Sequence, residues 1–498
     1  MPTRVALLLI LLSACSAPAP AGPSDGGLDA DVVPWVIDPQ RIYDDVVRLS
    51  ADDVEGRTPG TDGGELALTY VEGVFRELGL APAGSDGYRQ PFTATGWRLR
   101  TRPELTLGAT PLRYPAEFGV TGGSAAGQVD AELVFVGFGV TVPPFDAAAY
   151  PGCPFSPDGY DDYAAVEVPG KVAVRLGGLH SEDEVALLNA CPGVAYGYEN
   201  RHGAAALLEV PNLRQRAWTP QAPIAADYAY PTHYLTTSRD ALTQVIPALD
   251  ELERALTATL APRSFATGVT ARVQVTASFT PVTTANVLAV VPGSSPTLAA
   301  ETIVVGAHLD AVGLAFPGAD DNASGTAVVL ELARAVVGTG LVPARSLVLA
   351  VFNAEETGHQ GSHAYCAQPV RPLAETAVMF SVDMVGAGDG SGLHLHPSYV
   401  SPPIDWVLAV LQNAAVADGL PYQVTQEPFI DASDHACFAF AGIPAMLVNT
   451  PGAHAGYHSP ADRADHVTPE DLGAAARVLW TGLAPLARGE VAIPPPPR

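Results

Sequence analysis

Between Gly306 and Gly325 the chain reads GAHLDAVGLAFPGADDNASG, which holds one histidine and three aspartates. Burying that much charge as plain structure costs several kcal/mol for each uncompensated ion. His308, Asp310, Asp320 and Asp321 therefore ask for a cation or a reaction. Three later apolar runs end in residues of the same kinds. SLVLAVFNA leads into Glu355 and Glu356, AVMFSV into Asp383, and AMLVNT into a loop with Tyr457 and His458. In open α/β sheets ligands bind beyond the carboxyl ends of the strands, so these groups are expected to converge. Asp320 joins them from the loop before a helix expected at 325–337. Two histidines and several carboxylates suit zinc or a similar borderline metal. One catalytic metal takes about three protein ligands. This set supplies more than that, so two metals sharing one carboxylate fit better, ~3.5–4 Å apart as in a two-metal hydrolytic clamp.

Other patterns compete for the same residues. Asp320, Asn322, Ser324, Gly325 and Glu331 approach a calcium-loop spacing. The context rejects it: a strand and a coil precede, and the residues after Gly325 read as continuous helix. Asn322 or Ser324 could instead cap that helix. His359 and His363 stand four apart, but QGS between them lacks the glutamate of a zinc-helix motif, so His363 reads as helix surface. His394 and His396 share a strand face and could line a pocket. The G-x-S-x-G elbow of serine hydrolases is missing.

The elements that must carry these residues follow from periodicity. After residue 285, apolar strands alternate with helices, which argues an α/β fold: a mixed, mostly parallel central sheet with helices on both faces. Ahead of it, GELALTYVEGVFRELGL sets Ala67, Val71, Val74 and Leu78 at helical spacing, with Gly79 as the stop. From about 100 to 280, short β-rich runs such as AELVFVGFGV and GKVAVRLGG alternate with turn residues, as in a separate β-rich domain.

The chain of 498 residues is too long for one ordinary core, and with 48% hydrophobic and 16% charged residues it reads as folded protein. A net charge of -27 repels phosphate backbones, so nucleic acid is not an expected partner. Lys171 is the one lysine, so no basic patch can hold the protein to anionic lipid. Arg4 precedes VALLLILL, which is too short to span a bilayer. The run ends Leu-Ser-Ala-Cys at Cys15, which resembles a bacterial lipobox. The expectation is a signal peptide over 1–14 and a lipidated Cys15 opening a flexible linker over 15–40. That places the protein in a bacterial cell envelope as a lipoprotein, at the outer membrane since Ser16 is not an aspartate, or secreted. In that oxidising setting Cys153, Cys191, Cys366 and Cys437 can pair three ways. Cys153 with Cys191 is the preferred pair because both lie in one region.

Six stretches then carry a specific resemblance: GAHLD, PGADDNASG, NAEETGHQGS, SVDMVG, ASDHACFAFAGIPA and GYHSPAD. With the opening LSADDVEGRTPGTDGGELALTYVEGVFRELGL, they make the chain resemble the co-catalytic zinc aminopeptidase family. That family also contains carboxypeptidase Q, glutamate carboxypeptidase II and the glutaminyl cyclases. The resemblance implies a peptidase domain in two parts, 41–104 and 281–490, around an inserted protease-associated domain at 105–280, with a disordered tail at 491–498. It implies that His308, Asp320 and Asp383 bind one zinc and that Asp320, Glu356 and His458 bind the other, with Asp320 as the bridge. Glu355 would be the general base, Asp310 would orient the imidazole of His308, and Tyr457 would donate to the oxyanion. A cis peptide bond is implied at Asp320–Asp321. Peptide substrates follow, with removal of N-terminal residues the first expectation. A carboxypeptidase or dipeptidase of the same family is the nearest alternative. A one-zinc glutaminyl cyclase is disfavoured by the full ligand set and the insertion. A non-catalytic binding protein would bind no zinc.

Overall fold

A computed structural model describes residues 35–178, 189–197, 201–214, 220, 223, 229–428 and 432–494. The signal segment, Cys15 and most of the linker lie outside the described residues, as do the last four residues of the tail. Among the described residues no helix is long and apolar enough to cross a membrane.

The chain enters through α1 (Pro39–Leu49) and α2 (Asp62–Glu77). Asp38 caps α1 by accepting the N–H groups of Gln40 and Arg41, with Pro39 at the first helical position. On α2 the residues Ala67, Leu68, Val71 and Phe75 are buried, and Gly79 stops the chain at φ +69. Two short strands follow, β1 (Ala81–Pro82) and β2 (Arg89–Ala94). Beyond the insertion come β3 (Val282–Val291), β4 (Thr302–His308), α3 (Gly325–Gly338), β5 (Ser346–Phe352) and α4 (Gln360–Ala367). Then follow β6 (Thr376–Val382), β7 (Gly392–Pro397), α5 (Asp405–Ala417), β8 (Gln423–Gln426), α6 (Ala436–Phe440), β9 (Ala445–Asn449) and α7 (Pro469–Arg488).

These strands form one mixed sheet in the order β1-β3-β5-β4-β6-β9-β7-β8, with β2 also pairing β3. Its centre, β5-β4-β6-β9, is parallel. Antiparallel pairings of β3 with β5 and of β7 with β9 bring in the flanks. Of these, β4 and β5 are buried along their whole length, so they read as nearly unbroken apolar runs. Alternation then splits them between two cores. Ile303, Val305, Ala307, Leu347, Leu349 and Val351 pack with α1, α2, α3, α5 and α7. Val304, Val348, Ala350 and Phe352 pack with Tyr365 of α4 and Phe438 of α6 on the other face. Cys366 and Cys437 are joined there, tying α4 to the start of α6.

The insertion builds its own sheet of eight strands, from Glu104–Leu107 to Phe265–Val275, over a separate core. Its described residues also include the helices Arg239–Thr243 and Leu249–Thr259. Cys153 and Cys191 are joined within it. Leu314, from the loop after β4, belongs to this second core, and Phe316 meets the ring of Tyr114 at 6.3 Å. The loop that leads to Asp320 and Asp321 is thus held from both sides.

Candidate metal centre

Each parallel strand delivers its polar group at its carboxyl end. His308 is the last residue of β4, Asp383 follows β6, and Glu355 and Glu356 follow β5 by a short turn. His458 reaches in from the loop after β9. The Nδ1 of His308 faces the backbone carbonyl of Asp310 at 3.0 Å. An N–H donated there leaves the Nε2 lone pair free for a metal. That Nε2 lies 3.2 Å from Asp321 Oδ1 and 3.3 Å from Asp383 Oδ1. The Nε2 of His458 lies 3.2 Å from Asp321 Oδ2 and 3.3 Å from Glu356 Oε2. Two trios of possible ligands result: His308, Asp321 and Asp383; and Asp321, Glu356 and His458. They share one residue, Asp321, with one oxygen turned to each.

This corrects the expectation that Asp320 is the bridge. Asp462 accepts both the Asp320 N–H at 2.8 Å and the Asp321 N–H at 3.0 Å, which anchors the turn. The two side chains then point to different places. The carboxylate of Asp320 faces His454 Nδ1 at 2.6 Å and accepts the Gly386 N–H at 2.9 Å, so its oxygens are spent on protein. Asp321 is left to face both histidines. The non-proline cis bond moves with it, to Asp321–Asn322 rather than Asp320–Asp321. Asn322 supplies the helix cap: its Oδ1 accepts the Gly325 N–H at 2.8 Å.

Asp310 holds a second turn in the same way. It is buried, and its carboxylate accepts the Glu355 N–H at 2.9 Å and the Glu356 N–H at 3.2 Å. The expected orienting of His308 comes from the carbonyl of Asp310, with the carboxylate 4.0 Å away. Arg57 is fully buried and donates only to carbonyls: Leu309, Leu49 and Pro317 (2.6 Å each for the last two) and Gly318 at 2.8 Å. It ties the chain after His308 to the chain before Asp320. Burial pulls its pKa down to about 10, partly offset by Asp462, so it remains a cation at neutral pH.

The electrostatics of the cluster call for positive charge. Burial, then the charge of Asp321, raises Glu356 well above the ordinary carboxylate range. Burial also raises Asp383, and it pushes Asp310 up to about 6 and Asp462 up to about 7. Burial works against charged His458, yet its contacts with Asp321 and Glu356 prevail and lift it to about 10. A bound cation inverts this arrangement, ionising the acids and deprotonating the ligating nitrogens. Glu356 Oε1 is buried without a hydrogen-bond partner, as a metal ligand would be. The donor set of imidazole and carboxylate fits zinc chemistry.

Around the cluster lies a cavity of about 340 Å³, lined by His308, Glu355, His359, Met384, Asn449 and Tyr457 among others. Tyr457 stacks on His458 at 3.8 Å. Ala354, His359, Met384 and His458 all have positive φ near +55, the strained backbone that gathers at functional sites. His363 is exposed on α4. His394 and His396 stand behind Asn449, whose Oδ1 lies 3.1 Å from His396 Nε2. Glu331 is engaged by Arg41 and Trp35, away from the turn at 320, which disposes of the calcium-loop spacing. Sequence reasoning assigned no role to Asp462, His454, Arg57 or His359. Asp462 lies inside GYHSPAD, a signal that could have prompted one.

Residues 286–482 match the model of Peptidase family M28. Leucine aminopeptidase 1 of Ajellomyces capsulatus is 32% identical over 179 residues, 33% of this chain and 45% of that protein. The chain thus spans under half the length of that curated relative. An aminopeptidase from an Aneurinibacillus species superposes with a TM-score of 0.54 at 26% identity, over 92% of this chain and 96% of that one. A zinc aminopeptidase from Bacillus subtilis shares the fold, with a TM-score of 0.60 at 20% identity over 90% of this chain and 94% of that one. The match to peptidase family M28 thus covers residues 286–482, and the likeness of fold to these aminopeptidases extends over most of the chain.

Proposed function

We propose that the protein is a zinc aminopeptidase that uses two metals, with Asp321 as their shared ligand. The observation that supports it is the pair of ligand trios meeting on the two oxygens of Asp321. His308 and Asp383 complete one site, and Glu356 and His458 the other. Zinc held there would polarise the scissile carbonyl and lower the pKa of a nearby water. Glu355, beside the cluster with Oε2 4.0 Å from His308 Nε2, would accept a proton from the attacking water and pass it to the leaving amine. Tyr457, on the cavity wall, donates to the oxygen that gains charge. The β-rich insertion is proposed as a protease-associated domain; Trp97, Leu99 and Leu314 bring it against the chamber beside Glu356 and His458.

Kinetics on aminoacyl-p-nitroanilides, N-acetylated counterparts and C-terminally unblocked peptides test the activity. Cleavage only of free N-termini, lost with chelator and restored by zinc, is the expected outcome. Cleavage of N-blocked peptides from the C-terminus would instead point to a carboxypeptidase. Lipidation at Cys15 and a place in the bacterial envelope remain part of the proposal, motivated by Leu-Ser-Ala-Cys. Cys15→Ser should move the protein from the membrane to the soluble fraction; a wild-type protein already soluble defeats that part.

A further inference from the structure

Glu355 and Glu356 are neighbours in sequence and both face the metal cluster, so something must decide which one ligates and which one stays free. Either could bind: His308, Glu355 and Glu356 themselves form a third group within ligand reach of one another. The difference lies in what holds each carboxylate. Glu356 pairs with His458, itself a candidate ligand, and keeps one buried oxygen without a hydrogen-bond partner. Glu355 has a partner outside both trios: His359 Nε2 lies 3.2 Å from its Oε1. An ionised carboxylate only accepts hydrogen bonds, so the imidazole is the donor. The backbone fixes the pairing. Gly358 and His359 both donate their N–H to the Glu355 carbonyl, at 2.8 and 2.7 Å, and His359 sits at φ 53 where α4 begins. The Ser362 hydroxyl and the His363 N–H in turn grip the His359 carbonyl, at 3.0 Å each.

We propose that His359 is a positioning residue that holds Glu355 back from the metals, keeping it a proton acceptor instead of a further ligand. With Oε1 held by His359, Oε2 is presented to the gap while the carboxylate cannot swing in to bind through both oxygens. This inference rests on the two-metal reading above.

Two variants test it, His359→Leu, which removes the donor, and His359→Gln, which keeps an N–H donor; neither is β-branched, as the positive φ requires. The protein is loaded with cobalt(II) in place of zinc, and its visible absorption is recorded; that intensity falls as coordination number rises. His359→Leu should bind the same amount of metal with a weaker spectrum, and His359→Gln should keep the wild-type spectrum. The double variant with Glu355→Gln should recover the lost intensity. With zinc, His359→Leu should lower kcat about tenfold or more with KM nearly unchanged, the scale of residues that orient metal-site groups, and His359→Gln should restore most of it. An unchanged spectrum overturns the proposal, whatever happens to kcat, and so does a change confined to KM, which would mark His359 as a substrate contact. If the spectra differ as expected but wild type cleaves no peptide, the positioning role stands and the peptidase reading falls.

Discussion

The two halves of the candidate metal centre are built differently. His308 and Asp383 sit at the ends of β4 and β6, in the parallel middle of the sheet, with side chains only 1% and 10% exposed. Glu356 and His458 hang from turns, and His458 is 31% exposed on a loop that runs well past β9. The first half takes its geometry from strand register, set by the apolar core on both faces. The second depends on a turn held by Asp310 and on a loop residue in left-handed backbone. A ligand set carried by rigid strands loses less freedom on binding metal, so the strand-rooted site should hold its ion more tightly. Asp321 belongs to both halves, which makes it the residue on which the comparison turns.

The largest effect should therefore come from Asp321→Asn. Both sites would lose a ligand at once, so bound zinc should fall toward none, and activity should drop further than in Glu355→Gln or Glu356→Gln. Asp320→Asn leaves both trios complete and should retain zinc. Metal analysis of the two purified variants decides between them; zinc loss from Asp320→Asn but not from Asp321→Asn would restore the bridge to Asp320.

Glu355→Gln comes next. It removes the proposed proton acceptor and no member of either trio. Rate should fall ~10²–10⁴, the range for general-base catalysis, with zinc content unchanged. Were zinc lost here and kept in Glu356→Gln, the two glutamates would have exchanged roles.

Glu356→Gln should break only the loop-rooted half. One zinc should remain, and excess zinc should recover part of the activity. The same asymmetry should appear in the unaltered protein as two-step metal removal by a limiting chelator. A single step, with both ions leaving together, would erase the distinction between the halves.

The smallest effects belong to the two aspartates that grip the turns. Asp310→Asn and Asp462→Asn should each cost ~10–100-fold in metal affinity or activity, as expected for outer hydrogen-bond partners. Asp310→Asn should weaken the loop-rooted site more, because it loosens Glu356. Asp462→Asn should weaken both sites, because it loosens the turn that carries Asp321. Zinc-binding isotherms would separate the two patterns; identical ones would mean that the turns act as a single unit.

Much of this arrangement is written in the sequence. The convergence of His308, Glu355, Glu356, Asp383 and His458 was legible because an apolar run ending in a ligand-type residue marks the carboxyl end of a buried strand. The mixed sheet and the β-rich insertion were legible for a similar reason, since burial on both faces or on one writes itself into hydrophobic period. Asp320 and Asp321 were not distinguishable: they are adjacent, identical in chemistry and outside any periodic element. Only the grip of Asp462 on both N–H groups, and the claim of His454 and Gly386 on one carboxylate, sends the other into the site.

The types of the ligands and the strand ends that bear them were determined by the sequence itself, because hydrophobic alternation and side-chain chemistry are local properties. Which aspartate faces both histidines, which glutamate meets His359, and how Arg57 ties the two segments together were decided by tertiary structure alone. Each of these rests on a hydrogen bond whose donor and acceptor meet through the backbone path. That path, at Asp321 and at His359, departs from regular helix or strand, where no residue pattern announces the direction a side chain will take.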